Sequence, residues 1–134
     1  MKYNKQLIKK LFFFAFIFSS LLFFAQDKPY WKEIQEFKKL DETNGIPKKP
    51  ILFLGSSSFT YWQDVNDYFP NKNIINRAFG GSRLLDLINY SEELLTPYNP
   101  RQIVIYCGEN DIATDNPTPA VALERFKTFF TGFG

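Results

Sequence analysis

Three short apolar runs, each followed by a glycine-containing turn, form the most regular pattern in the chain. They are ILFL at 51–54, NIINRAF at 73–79 and RQIVIYC at 101–107. Each run has the length of a buried strand, and the segments between them repeat apolar residues at helical spacing. Strands that alternate with helices predict right-handed crossovers and a parallel sheet. The pattern therefore predicts an α/β domain.

Helices are predicted before, between and after these strands. An amphipathic helix is expected over 29–40, where apolar residues recur at helical spacing and Asn44-Gly45 supplies a stop. Further helices are expected over 59–68, after a capping Ser82 with a break near Tyr90, and from Thr118-Pro119 onward.

The first 25 residues differ in composition from the rest. Residues 1–10 contain four lysines and no acidic residue, and they precede an apolar run of 15 residues at 11–25. This is the order of a secretory signal peptide. This run is shorter than the roughly 20 residues of a spanning helix, so we expect cleavage near Ala25, with an uncleaved anchor as the alternative. The predicted organisation is a signal peptide at 1–25, an N-terminal helix and linker at 26–49, and a domain at 50–134. A periplasmic or extracellular protein without stable membrane insertion is the corresponding expectation.

Residue counts narrow the classes of partner and chemistry. Without the leader the chain has 12 basic and 14 acidic residues, a formal charge of about −2, which argues against nucleic acid. No histidine, cysteine or carboxylate cluster has ligand spacing, so no metal or cofactor is predicted. Cys107 is the single cysteine and is expected to be a small buried apolar residue, with pairing between chains as the alternative. The chain has no histidine, the usual base of serine hydrolases.

The turns after the three strands carry the residues with candidate chemistry. Their sequences are GSSS at 55–58, GGS at 80–82 and CGEND at 107–111. Because the carboxyl ends of parallel strands share one edge of the sheet, these turns are expected to meet at one crevice. A serine at a strand-to-helix turn is exposed, a glycine N–H is unshielded, and an asparagine amide is an uncharged donor. Such groups suit attack on a carbonyl and stabilisation of the resulting oxyanion.

In this order and spacing the three turns resemble those of the SGNH, or GDSL-type, hydrolases. That family has a serine in a G-D-S turn after the first strand, a glycine after the second, an asparagine in G-x-N-D after the third, and Asp-x-x-His near the carboxyl end. FLGSSSFTYW, NRAFGGS and YCGENDIA match the first three motifs, whereas Asp-x-x-His is absent. The resemblance implies a three-layer α/β/α fold with a flavodoxin-like parallel sheet of order 2-1-3-4-5. This chain is expected to hold that fold up to the third strand and the following helix.

The resemblance also implies a role for one residue in each turn. Ser57 corresponds to the nucleophile, and Gly81 and Asn110 correspond to residues of the oxyanion hole. Ser56 stands where the family usually has aspartate, and Ser58 is expected to be a helix-start residue with a capping role.

The same turns also fit purely structural roles. Gly80-Gly81 also fits a tight turn, and Asn110-Asp111 also fits an Asx-turn. Glu109 is expected to face solvent, and Trp62 is expected to pack its helix on the sheet.

The implied activity is hydrolysis of small acyl esters, O-acetylated carbohydrates among them, by a serine nucleophile without a cofactor. Because Asp-x-x-His is absent, this chain alone is expected to be inactive. Residues 26–134 alone are expected to be unstable, since the outer edge of the third strand is uncovered. The alternative is a noncatalytic module that binds a carbohydrate or small ligand with the same turns. A flavodoxin-like phosphate binder is disfavoured, because neither G-x-G-x-x-G nor a P-loop is present.

Overall fold

The computed structural model describes residues 28–132, so the signal peptide predicted at 1–25 lies outside the described residues. The elements are, in chain order, α1 (Trp31–Asn44), β1 (Ile51–Gly55), α2 (Ser57–Thr60), α3 (Val65–Tyr68), β2 (Ile74–Asn76), α4 (Leu84–Asn89), α5 (Ser91–Leu95), β3 (Gln102–Tyr106), α6 (Glu109–Asp115) and α7 (Pro119–Thr131). Within 28–132, no helix combines the length and apolar character needed to cross a membrane.

The strands form a parallel sheet in the order β2-β1-β3. Ile51 of β1 pairs with Ile74 on one side and with Gln102 on the other. All residues of β1 are buried, because this central strand is covered on both faces. The predicted α/β fold with a parallel sheet is confirmed, and the strand order agrees with the first part of the order that the resemblance implies.

Helices flank both faces of the sheet. On one face, Phe53 of β1 belongs to a buried cluster with Val65 of α3, and Phe59 and Trp62 pack against that cluster. Trp62 therefore has the predicted packing role. Leu52 and Leu54 are fully buried and point to the opposite face, since side chains alternate along a strand. Other buried residues of the core are Ile34, Leu84, Leu87, Leu94 and Phe129.

Some predicted element bounds differ from the structure. The helix predicted at 59–68 is two short helices, α2 and α3. The Asn76 side chain donates to the carbonyl oxygens of Phe59 and Trp62, at 2.6 and 3.3 Å, and so holds the turn that connects them. The second strand, predicted over 73–79, is shorter and spans Ile74–Asn76. The N–H groups of Arg77 and Phe79 nevertheless donate to carbonyl oxygens of β1, at 2.9 and 3.0 Å. The break predicted near Tyr90 is confirmed, because α4 ends at Asn89 and α5 begins at Ser91.

The N-terminus of α4 is held differently from the prediction. Ser82 does not cap it; its hydroxyl donates instead to the carbonyl oxygen of Gly55, at 3.0 Å. The N–H groups of Arg83 and Leu84 donate to the carboxylates of Asp86 and Asp111, at 2.9 and 2.8 Å. Carboxylates near the N-terminus of a helix also interact favourably with the helix dipole.

Candidate active site

Gly55 allows the end of β1 to approach the end of β3. A Cβ atom at Gly55 would lie 2.0 Å from the backbone oxygen of Tyr106. The φ angle of Gly55 is +146°, a value that other residues rarely adopt. The N–H of Ser56 donates to the same Tyr106 oxygen, at 3.1 Å. The first turn is thereby held against the strand that leads into the third turn.

The serines of the first turn have three different environments. Ser56 is fully buried, and its hydroxyl donates to a carboxylate oxygen of Glu109. Its carbonyl oxygen accepts the N–H groups of Phe59 and Thr60, so Ser56 holds the cap position that was expected of Ser58. Ser57 is the first residue of α2 and is half-buried, whereas Ser58 is exposed. Ser57 thus combines partial exposure with a place at the strand-to-helix turn.

The second turn is bonded to the first through one carbonyl group. The carbonyl oxygen of Gly55 accepts the N–H of Phe79 and the hydroxyl of Ser82, each at 3.0 Å. Between these two donors lies Gly81, which is exposed and has a φ of +80°. The predicted Gly81 therefore lies in a turn whose two ends are anchored to the end of β1.

The third turn is bonded to the second by two consecutive side chains. The Nδ2 group of Asn110 donates to the carbonyl oxygen of Ser82 at 3.0 Å, and the fully buried carboxylate of Asp111 accepts the N–H of Leu84 at 2.8 Å. These side chains reach the second turn instead of closing a local Asx-turn. The three turns thus meet at one edge of the sheet, as their positions after parallel strands predict.

An ion-pair network lies behind the third turn. Arg125 of α7 contacts the carboxylates of Asp111 and Asp115, at 2.7 and 3.0 Å, and Arg83 contacts Asp115 at 2.9 Å. The hydrogen bond from Arg125 is the main reason that the pKa of Asp115 is lowered, and the Arg83 charge contributes. The hydrogen bond to Asp86 is the main reason that the pKa of Arg83 is raised. The network links α7 to the turn that carries Asn110.

Cys107 is the first residue of the third turn, but it is poorly suited to be a nucleophile. Its thiol is half-buried and lies 3.6 Å from the carbonyl oxygen of Ser82. Burial raises the pKa of Cys107 to about 12, and the negative charges of Asp111 and Glu109 add to this effect. The thiolate is the reactive form, and burial and the neighbouring carboxylates disfavour it at Cys107.

Two contributors to the site were missed by sequence reasoning. Glu109 was expected to face solvent; although the residue is exposed, its carboxylate binds the buried Ser56 hydroxyl. Arg125 lies on the predicted last helix, but nothing in its spacing pointed to Asp111. The sequence signal available for Glu109 was its place, since it is a polar residue at the first position of the helix that follows β3.

Comparisons with known proteins bear on the fold. No family model matches the chain, and a search of the curated proteins finds none that matches it. Among solved structures, a Streptococcus pneumonia protein provisionally named a platelet activating factor is similar, with a TM-score of 0.63 and 21% identity over 97% of this chain and 55% of that one.

Two Bacteroides structures are similar as well. A GDSL-like lipase from Bacteroides thetaiotaomicron has a TM-score of 0.60 and 18% identity, and the match covers 72% of this chain and 50% of that one. A Bacteroides fragilis protein provisionally named an acylhydrolase has a TM-score of 0.57 and 21% identity, with 70% and 50% covered. The chain spans about half the length of these structures. It has the fold of the GDSL-like lipases and acylhydrolases, as the resemblance predicted.

Proposed function

We propose that this chain is part of a serine ester hydrolase of the SGNH/GDSL type, with Ser57 as the nucleophile. The observation that carries the proposal is the convergence of the three turns. The Gly55 carbonyl binds the second turn, and the Ser82 carbonyl binds the Asn110 amide of the third. Convergence supports a shared site, because a hydroxyl and oxyanion donors must surround one carbonyl group.

In the proposed reaction the Ser57 hydroxyl attacks the ester carbonyl and loses its proton to a base. The chain contains no histidine, so a base of that type would come from outside these 134 residues. The N–H groups of Ser57 and Gly81 and the side-chain amide of Asn110 would stabilise the oxyanion. The alcohol leaves, and water then hydrolyses the acyl-enzyme and regenerates Ser57.

The hydrogen bond of Asn110 supports its proposed role. The Nδ2 group carries two N–H donors, and one of them binds the Ser82 carbonyl oxygen at 3.0 Å. This bond orients the amide and leaves the second N–H for the oxyanion. A donor that is oriented before the reaction stabilises the transition state without reorganisation.

The proposed substrates are small acyl esters, with O-acetylated carbohydrates as one class. Export, which the composition of residues 1–25 predicts, would place the enzyme beyond the cytoplasm and suits short-acyl esters on carbohydrates. The names lipase and acylhydrolase that two neighbours carry support hydrolysis of acyl groups. No metal or cofactor enters this proposal.

The assignment of the nucleophile is tested by labelling the full-length gene product with a fluorophosphonate. We expect labelling of the wild type, of Ser56→Ala and of Ser58→Ala, and no labelling of Ser57→Ala. The complete burial of Ser56 and its bond to Glu109 support the choice of Ser57 over Ser56. Labelling that survives Ser57→Ala would contradict the assignment.

A noncatalytic binding module is the second candidate, and the same convergence of the three turns supports it. It predicts that the full-length gene product binds a carbohydrate or small ligand and is not labelled by the fluorophosphonate. Ester turnover that Ser57→Ala abolishes would exclude this candidate.

A further inference from the structure

We propose that Glu109 is a positioning residue that holds the turn of the nucleophile; this inference rests on the proposed role of Ser57. Ser56 directly precedes Ser57, and its hydroxyl donates to the Glu109 carboxylate. The carboxylate therefore binds, from the third turn, the residue that determines where the Ser57 backbone lies. Glu109 acts through Ser56, so it is not itself a catalytic residue.

The burial of Ser56 gives this bond its importance. The residue is fully buried, and the Glu109 carboxylate satisfies its hydroxyl. A buried hydroxyl that lacks an acceptor costs free energy. The Glu109 acceptor thus favours the position of the first turn in which the Ser56 hydroxyl reaches it.

The start of α6 fixes the direction of Glu109. Glu109 is the first residue of that helix, and Gly108 before it has a φ of +125°, which permits the sharp entry into the helix. The next residue, Asn110, binds the Ser82 carbonyl oxygen. Two consecutive residues therefore contact both of the other turns, and they link the position of Ser57 to that of the Asn110 amide.

The test is a double-mutant cycle in the full-length gene product, with p-nitrophenyl acetate as the substrate. We expect Glu109→Ala and Ser56→Ala each to lower kcat about ten- to a hundredfold, the range in which small misplacements reduce rates, with little change in KM. Because both remove the same bond, the double variant should be no slower than either single one. Glu109→Gln keeps an acceptor oxygen and should recover most of the rate. Glu92→Ala, at an exposed glutamate of α5, is the matched control.

The outcomes separate this inference from the proposed function. If Ser57→Ala is inactive but Glu109→Ala and Ser56→Ala turn over at the wild-type rate, the positioning role is wrong and the nucleophile stands. Additive effects of the two substitutions, or no recovery in Glu109→Gln, would also overturn it. Wild-type turnover by Ser57→Ala would overturn the proposed function and this inference together. If Glu109→Ala does not fold, Ser56→Ala and Glu109→Gln still decide the matter.

Discussion

The side-chain amide of Asn110 donates a hydrogen bond to the carbonyl oxygen of Ser82, at 3.0 Å. The two residues are 28 positions apart, and the bond joins the turn after β3 to the turn after β2. Ser82 in turn donates its hydroxyl to Gly55 at the end of β1. The ends of all three strands are thereby connected through one serine, and the Asn110 amide is oriented by the turn that carries Gly81.

Replacing Asn110 with alanine should affect catalysis far more than stability. Loss of an oxyanion donor typically costs about 2.7–4 kcal/mol of transition-state stabilisation, which is about a hundredfold or more in kcat. Loss of its hydrogen bond to Ser82 should lower the free energy of unfolding by only about 1 kcal/mol. Ester turnover and urea unfolding of the full-length gene product measure the two effects. A kcat within threefold of the wild type would remove Asn110 from the oxyanion hole.

Gly55 should tolerate no side chain. Alanine at this position would place its Cβ 2.0 Å from the Tyr106 backbone oxygen, in a strained conformation. Backbone strain and overpacking together should cost about 3 kcal/mol or more. Urea unfolding should show this loss for Gly55→Ala.

Gly80→Ala is the matched control for this substitution. A Cβ at Gly80 would meet no atom within 4 Å, so its effect should stay within about 0.5 kcal/mol. Equal unfolding midpoints for the two variants would contradict the close approach of β1 and β3.

The sheet could be predicted because the apolar character of single residues indicates that they are buried. Each residue of β1 is apolar or glycine, and each is buried on the covered central strand. The bounds of β2 could not be predicted in the same way. The run NIINRAF has apolar residues at 74–75 and 78–79, yet β2 ends at Asn76. The N–H groups of Arg77 and Phe79 still donate to carbonyl oxygens of β1. Apolar residues indicate burial, but they do not indicate where a paired strand ends.

The candidate site was predictable in its positions and not in its bonds. Ser57, Gly81 and Asn110 come from the resemblance of their turns, and their catalytic roles stay predictions. The bond between Ser56 and Glu109 joins residues 53 positions apart, so no local pattern indicates it. The instability expected of residues 26–134 also stays a prediction. Among the described residues β3 pairs with β1 on one side only, and Phe126 and Phe130 are exposed.

Tyr98 should make stability fall at high pH. Burial is the main cause that raises the pKa of Tyr98 to about 12 from 10, and its hydrogen bond to Asp41 adds to the shift. Below pH 10 the tyrosine is neutral in both folded and unfolded chains, and its contribution is complete. Between pH 10 and 12 only the unfolded chain ionises, so this contribution is lost, on the order of 1–2 kcal/mol.

The variant Tyr98→Phe isolates this effect. Its stability deficit relative to the wild type should shrink as the pH rises from 10 to 12, because phenylalanine does not ionise. Tyr61→Phe, at a tyrosine that is 81% exposed, controls for the loss of a hydroxyl. Urea unfolding at several pH values provides the comparison. A deficit that stays constant through this pH range would contradict the shift.

Asp111 should be the carboxylate whose loss most weakens the third turn. It is fully buried, accepts the Leu84 N–H and pairs with Arg125. Asp111→Ala therefore leaves the helix-start donor without its acceptor, and Arg125 keeps only its contact with Asp115. A buried donor left without its acceptor costs about 1–3 kcal/mol, and the lost contact with Arg125 adds to this cost. Asp111→Asn keeps an oxygen for Leu84 and should cost less. Glu124→Ala removes the exposed pair with Lys127 and should cost about 0.5 kcal/mol or less. The expected order of urea midpoints, from lowest to highest, is therefore Asp111→Ala, Asp111→Asn and Glu124→Ala. Equal midpoints for Asp111→Ala and Glu124→Ala would show that the network does not hold α7 to the site.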